Sequence, residues 1–292
     1  MTIAITTPTG NIGRRVTERL LQAGADVTLL VRDPAKVADF AARGAKVVAT
    51  SLDDRAAVLR ATEGASSLFW VTPPNVTSND YLGWQRQLAE IARAAVEKNR
   101  IGRVVQLSSA GAQHESGTGP VAGLFHLEQA LASTAAHVVF LRAGHFMENN
   151  LAQLDAIRGP GQIFSPVAGS VRTPMVATRD IGDVAATLLL DGNFEGKRVR
   201  GVHGPADLTF DEAAAAIGEG IGKRVTHVTV PAAAVKANLV AAGASENVVD
   251  LLLEMFAALA SGHMDAAEAR TAETTTPTTL TEFARDTIKP LL

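Results

Sequence analysis

Residues Thr7-Pro8-Thr9-Gly10-Asn11-Ile12-Gly13 have the types and spacing of a turn that offers backbone N–H groups to a phosphate. An apolar run, Ile3 to Ile5, precedes the turn. After it Ile12, Val16, Leu20 and Leu21 recur at helical spacing up to Gly24. A strand, a tight turn and a helix N-terminus in that order suit a dinucleotide pyrophosphate. Thr7, Thr9, Gly10, Asn11, Ile12 and Gly13 are therefore candidate cofactor-binding residues. Only two glycines of a G-x-G-x-x-G run remain, with Thr7 where an earlier one is expected, so the motif alone is weakly specific.

Arg32 sharpens the reading. It ends the second apolar run, twenty-two positions after Gly10, and Lys36 follows a turn later. An acidic side chain in that region would bind a ribose hydroxyl, whereas two cations favour a 2′-phosphate, which a guanidinium can hold with two bonds. The cofactor so indicated is NADP(H). The bland alternative makes Arg32 and Lys36 surface charges with Asp33 as a partner. Asp53, just past the third strand, is placed either to meet adenine or to cap the next helix, and can do both.

Proton-transfer chemistry is poorly supplied. A Tyr-x-x-x-Lys pair counted back from Glu128 would need lysine at Leu124 and tyrosine at Pro120, and the sole tyrosine, Tyr81, opens a different helix. Ser108 and His145 are the candidate catalytic residues. Against them, Ser108 can be a strand-end hydroxyl serving local backbone, and His145 a loop histidine bonded to backbone. His114 lies in the loop after Ser109, and His126 falls off the Leu124–Glu128 helix face, as a structural residue would. No metal site is expected, because the histidines lack H-E-x-x-H or similar spacing. No G-x-S-x-G elbow is present, and the absence of cysteine excludes a thiolate nucleophile.

The elements that must position these residues alternate through the first half. Strands are expected at 27–32, 46–49, 67–71, 104–108 and 137–142, and helices at 34–44, 53–64, 80–98 and 121–133. Continuous Val/Ile/Leu runs between helices indicate an α/β fold with a doubly wound parallel sheet. The second half is more broken, with helices expected at 180–190, 211–222 and across most of 233–269, strands at 198–203 and 225–230, and a loop over the Thr-rich run 271–281. Two units are expected: a cofactor-binding domain over 1–143, completed by segments around 180–203, and a smaller substrate-pocket subdomain over 144–292. With 292 residues, net charge −3 and no basic cluster, nothing suggests nucleic-acid binding. No membrane span or signal peptide is seen, and the missing cysteine fits a reducing cytoplasm.

With these residues in hand, the chain resembles the NmrA-like, atypical short-chain dehydrogenase/reductase family over nearly its whole length. The likeness rests on Thr6–Gly13, Val31-Arg32-Asp33-Pro34, Ser108-Ser109-Ala110-Gly111, Leu141–Asn149, Asp180–Val184, Gly204-Pro205 and Thr279–Arg285. Thr7 departs from the family's glycine. The resemblance implies a Rossmann-like sheet with NADP(H) across the strand ends. It places the nicotinamide near Thr72 and Pro73, Ser108 and the Ala143–Phe146 loop, which contains Gly144 and Phe146. The reading that follows is an NADPH-dependent reductase of a small apolar or aromatic acceptor (a quinone, azo compound or enone) that needs no protein acid. An NADP(H)-binding redox sensor and a non-redox isomerase or cyclase are the alternatives. A homodimer is compatible with any of them.

Overall fold

In the computed structural model, which describes residues 2–292, a parallel sheet begins with β1 (Thr2–Thr6), β2 (Asp26–Val31), β3 (Lys46–Ala49), β4 (Ser67–Trp70), β5 (Arg103–Ser109) and β6 (His137–Ala143). Three short strands then leave this sheet: β7 (His145–Phe146), β8 (Gln162–Ser165) and β9 (Arg172–Val176). The chain returns to it with β10 (Lys197–Val202), which pairs in parallel with β6. The spatial order is β10-β6-β5-β4-β1-β2-β3, every pairing parallel. This is the doubly wound, Rossmann-like order, and it reverses direction between β1 and β4.

The helices follow from the apolar spacing. They are α1 (Asn11–Gln22), α2 (Ala38–Ala41), α3 (Arg55–Ala61), α4 (Tyr81–Asn99), α5 (Ala122–Ala132), α6 (Leu154–Arg158) and α7 (Thr178–Asp191). Strand side chains alternate between the two faces. Ile3, Ile5, Leu29 and Val105 join Val16 and Leu20 of α1 and Ile181 and Leu189 of α7 in one core. Ala4, Leu68, Val104 and Val138 join Val58 of α3, Leu88 and Ile91 of α4, and Leu127 and Leu131 of α5 in another.

The remaining elements are β11 (Asp207–Thr209), α8 (Phe210–Ile221), β12 (Thr226–Thr229), α9 (Ala232–Ala241), α10 (Glu246–Ala260) and α11 (Leu280–Phe283). A separate core gathers Met147, Ile157, Ile163, Met175, Ile217 and Phe283. Three expected helices come out clearly shorter, the 53–64 segment being helical only over Arg55–Ala61. The 34–44 segment starts as a 3₁₀ turn behind Pro34, and its α-helical part is only α2. The long helix over 233–269 is broken at Gly243, whose φ of +90° turns the chain before Ser245 caps α10. Beyond Ala260 no helix forms until α11. The intervening backbone bonds His203 instead, through Thr274 O and Thr276 N. Among the described residues no helix is long and apolar enough to cross a membrane.

Candidate active site

The carboxyl ends of the central strands open onto a cleft of about 790 Å³ at the β1/β4 reversal. Its base is the turn between β1 and α1. Thr6 anchors that turn to β4, its Oγ1 accepting from Val71 N–H at 2.8 Å. Thr7 then takes φ +49°, a left-handed conformation uncommon for a β-branched residue, and Gly10 N–H closes the turn on Thr7 O at 3.1 Å. The position calls for glycine, and threonine fills it under strain. A Cβ on Gly13 would sit 2.2 Å from Thr7 O, so α1 packs against the turn only because that atom is absent.

No side chain caps α1. Its N-cap is Gly10 and its first turn holds no acidic residue. By contrast Asp54, Asp80, Thr209, Ser245 and Thr279 each cap their own helices. The open N–H groups of α1 and the positive end of its dipole therefore face the cleft, an arrangement suited to an anion.

Thr9, Asn11 and Ile12 line the same base, and Arg32 stands at the cleft's edge, exposed and without an ion pair among the described residues. Asp33 does not pair with it; Oδ1 of Asp33 accepts Ala35 N–H at 3.1 Å and starts the 3₁₀ turn. Lys36 is exposed on that turn and does not line the cleft. The cap of α3 is Asp54, whose Oδ1 accepts Ala57 N–H at 2.9 Å. Asp53 is left in the cleft wall beside Ser51 and Leu52.

The opposite end is formed by Thr72, Pro73, Pro74 and Asn75 after β4, with Trp84, Leu107, Phe146, Glu148, Asn149 and Thr178. Trp70 Nε1 donates to Thr72 Oγ1 at 3.3 Å, which leaves the hydroxyl hydrogen free to be given elsewhere. Glu148 holds the start of α7, accepting from Thr178 N–H at 3.0 Å and from its hydroxyl at 2.5 Å. Sequence reasoning did not single out Trp84, Glu148, Asn149 or Thr178. The signal available for two of them was the Leu141–Asn149 run.

His145 does not line the cleft. Strand alternation in β7 sends Phe146 inward and His145 to the other side, where its ring meets Phe210 edge-on at 5.9 Å. Its Nε2 lies 3.3 Å from Asn149 Nδ2, so its reach toward the cleft is indirect. Burial pushes its pKa down to about 4, which leaves the imidazole neutral and not a proton donor near pH 7. Gly144 also lies off the cleft. A Cβ there would fall 2.4 Å from Pro174 O, so the glycine serves the close approach of β9.

Ser108 is sealed away. It is 2% exposed and donates to Glu128 Oε1 at 2.5 Å. Arg142 binds the same carboxylate through Nε (3.1 Å) and a terminal nitrogen (2.7 Å), and reaches Glu268 at 3.0 Å. Burial works against the Arg142 charge, but the two carboxylates hold its pKa above the ordinary value. Tyr81 is buried at the start of α4, 5.6 Å from the Trp84 ring, and burial pushes its phenol up. No group arranged as a tyrosine–lysine pair stands on α5. Among the described residues no cluster of three or more metal-ligating side chains forms.

Residues 1–284 match the NmrA-like family. The chain belongs to that family. Among characterised relatives of this NmrA-like protein, an NAD(P)H azoreductase of Xenophilus azovorans is 28% identical over 85% of this chain and 84% of its own length. A (4-alkanoyl-5-oxo-2,5-dihydrofuran-3-yl)methyl phosphate reductase of Streptomyces griseus is 30% identical, covering 76% of this chain and 74% of its own. The structure of an NADPH-dependent quinone oxidoreductase of Escherichia coli in complex with NADPH superposes with a TM-score of 0.79. It is 26% identical, covering 97% of this chain and 98% of its own.

Proposed function

We propose that this NmrA-like protein is an NADPH-dependent reductase of small quinone, azo or enone acceptors. The observation that carries the reading is the pairing of an uncapped α1 with an unpaired Arg32 in one cleft. The turn from Thr7 to Gly13 holds the pyrophosphate, Arg32 meets the 2′-phosphate, and Asp53 flanks the adenosine end. Lys36 adds a long-range positive field. Thr72, Pro73 and Phe146 border the nicotinamide, and residues beyond 143 supply Phe146, Glu148 and Asn149 to the acceptor side. When bound, NADPH supplies two electrons and a proton as hydride, and the reduced acceptor takes its second proton from water.

The protein's part is then proximity and orientation rather than acid catalysis, consistent with a neutral His145 and a sealed Ser108. Those two features also favour a second reading, an NADP(H) sensor without turnover. NADPH oxidation measured against a panel of quinones, azo dyes and enones separates the two. Turnover with at least one acceptor is expected; tight NADPH binding with no turnover on any would sink the reductase reading.

A further inference from the structure

We infer that the acceptor end of the cleft selects neutral and cationic aromatic molecules over anionic ones, an inference that rests on the reductase reading. Trp84 and Phe146 supply aromatic surface there, and Thr72, Asn75 and Asn149 supply neutral polar groups. The one ionisable side chain in this wall is Glu148, held in place by the start of α7.

Among the described residues no lysine, arginine or histidine lines this end of the cleft, and three arginines outside it are held by other partners. Arg142 is enclosed by Glu128 and Glu268, Arg179 binds Thr278 Oγ1 at 3.1 Å, and Arg15 grips Asp183 at 2.9 Å. Arg32 sits on the far side, at the end of β2. Two strand spacings separate β2 from β4, whose end carries Thr72 to Asn75, and three separate it from β5, roughly 10 and 14 Å. A sulfonate or phosphate entering the acceptor end would lose water, find no cation in the wall, and stand near a carboxylate. A cationic ring substituent instead meets aromatic faces and a carboxylate, both attractive to it. Selectivity here comes from what the wall repels as much as from what it attracts.

Three 1,4-naphthoquinones sharing one ring system and bearing a methyl, a trimethylammoniomethyl or a sulfonatomethyl group test this. The methylene insulates the ring, so charge is the main variable. The sulfonate should show a kcat/KM at least about tenfold below the methyl compound, with the ammonium compound equal to it or better. The same order should appear in dissociation constants for the NADP⁺-loaded protein, read from quenching of tryptophan fluorescence. Asn75→Lys should raise the sulfonate-to-methyl ratio about tenfold in both measurements, by giving the anion a partner. Equal constants for the sulfonate and methyl compounds in the wild-type protein, or a ratio unmoved by Asn75→Lys, would overturn the inference. Absence of turnover with all three and with the wider panel of azo dyes and enones, despite NADPH binding, would refute the reductase reading instead, and the binding series would still decide the charge preference.

Discussion

Thr7 and Arg32 carry opposite kinds of information. Arg32 could be read directly, because a free guanidinium one strand from the phosphate turn has a chemical use whatever surrounds it. Arg32→Ala should weaken NADPH binding by about 10- to 100-fold while changing NADH binding little, since what is lost is a charge-assisted bond to the 2′-phosphate. Titration calorimetry with both nucleotides checks this, and an equal loss would remove Arg32 from the phosphate site. Thr7 marked a departure from pattern whose meaning needed its backbone angle. At φ +49° a threonine is strained by on the order of 1 kcal/mol, so Thr7→Gly should raise the unfolding free energy by about that amount. Chemical denaturation of the cofactor-free protein measures it; a destabilised variant would mean that the side chain's contacts outweigh the strain.

Elements decide which way a residue points, and here sequence spacing was least informative. The run Leu141–Asn149 is specific enough to mark a site, yet two adjacent residues of β7 face opposite sides. Phe146 borders the cleft while His145 packs half-buried against Phe210. Ser108 is likewise committed by a partner on α5, since Glu128 lies across from the end of β5 and Arg142 on β6 completes the cluster. Arg142→Ala should cost about 3–5 kcal/mol of stability by leaving Glu128 buried beside no cation, and urea unfolding reads this. A loss below about 1 kcal/mol would show that water enters to replace the guanidinium. Three buried or half-buried histidines add a pH dependence. Burial holds the pKa of His145 near 4, and burial also lowers His203 and His227, so the unfolded chain binds more protons below its ordinary histidine pKa. Stability is thus full above about pH 6.5 and falls as pH drops toward 4, with roughly 3 kcal/mol from His145. His145→Gln should flatten that fall between pH 6.5 and 4; an unchanged slope would place its cause in other groups.

At the scale of the molecule, the parallel sheet was legible because each strand is a short, almost wholly apolar run between amphipathic helices, and that pattern admits few topologies. The position proposed for the cofactor follows from the same rule, since a doubly wound sheet opens its crevice where strand order reverses. The part beyond Ala143 was less legible. Its strands other than β10 are only two to five residues long, and their partners are distant in sequence, as where β11 pairs β9 and β12 pairs β8. The segment after Ala260 has helix-forming composition for several residues, but backbone bonds to His203 draw it along the sheet edge. By itself the sequence determined the strand–turn–helix unit, the cation at the end of the second strand and the missing tyrosine–lysine pair, because these depend on residue type and local spacing. Only the tertiary structure decided that α1 is left uncapped toward the cleft, that Ser108 and His145 are withdrawn from it, and that Trp84, Glu148 and Asn149 complete its wall. Those outcomes depend on contacts between residues 20 to 65 positions apart, as from Ser108 to Glu128 or from His145 to Phe210, and no local pattern encodes them.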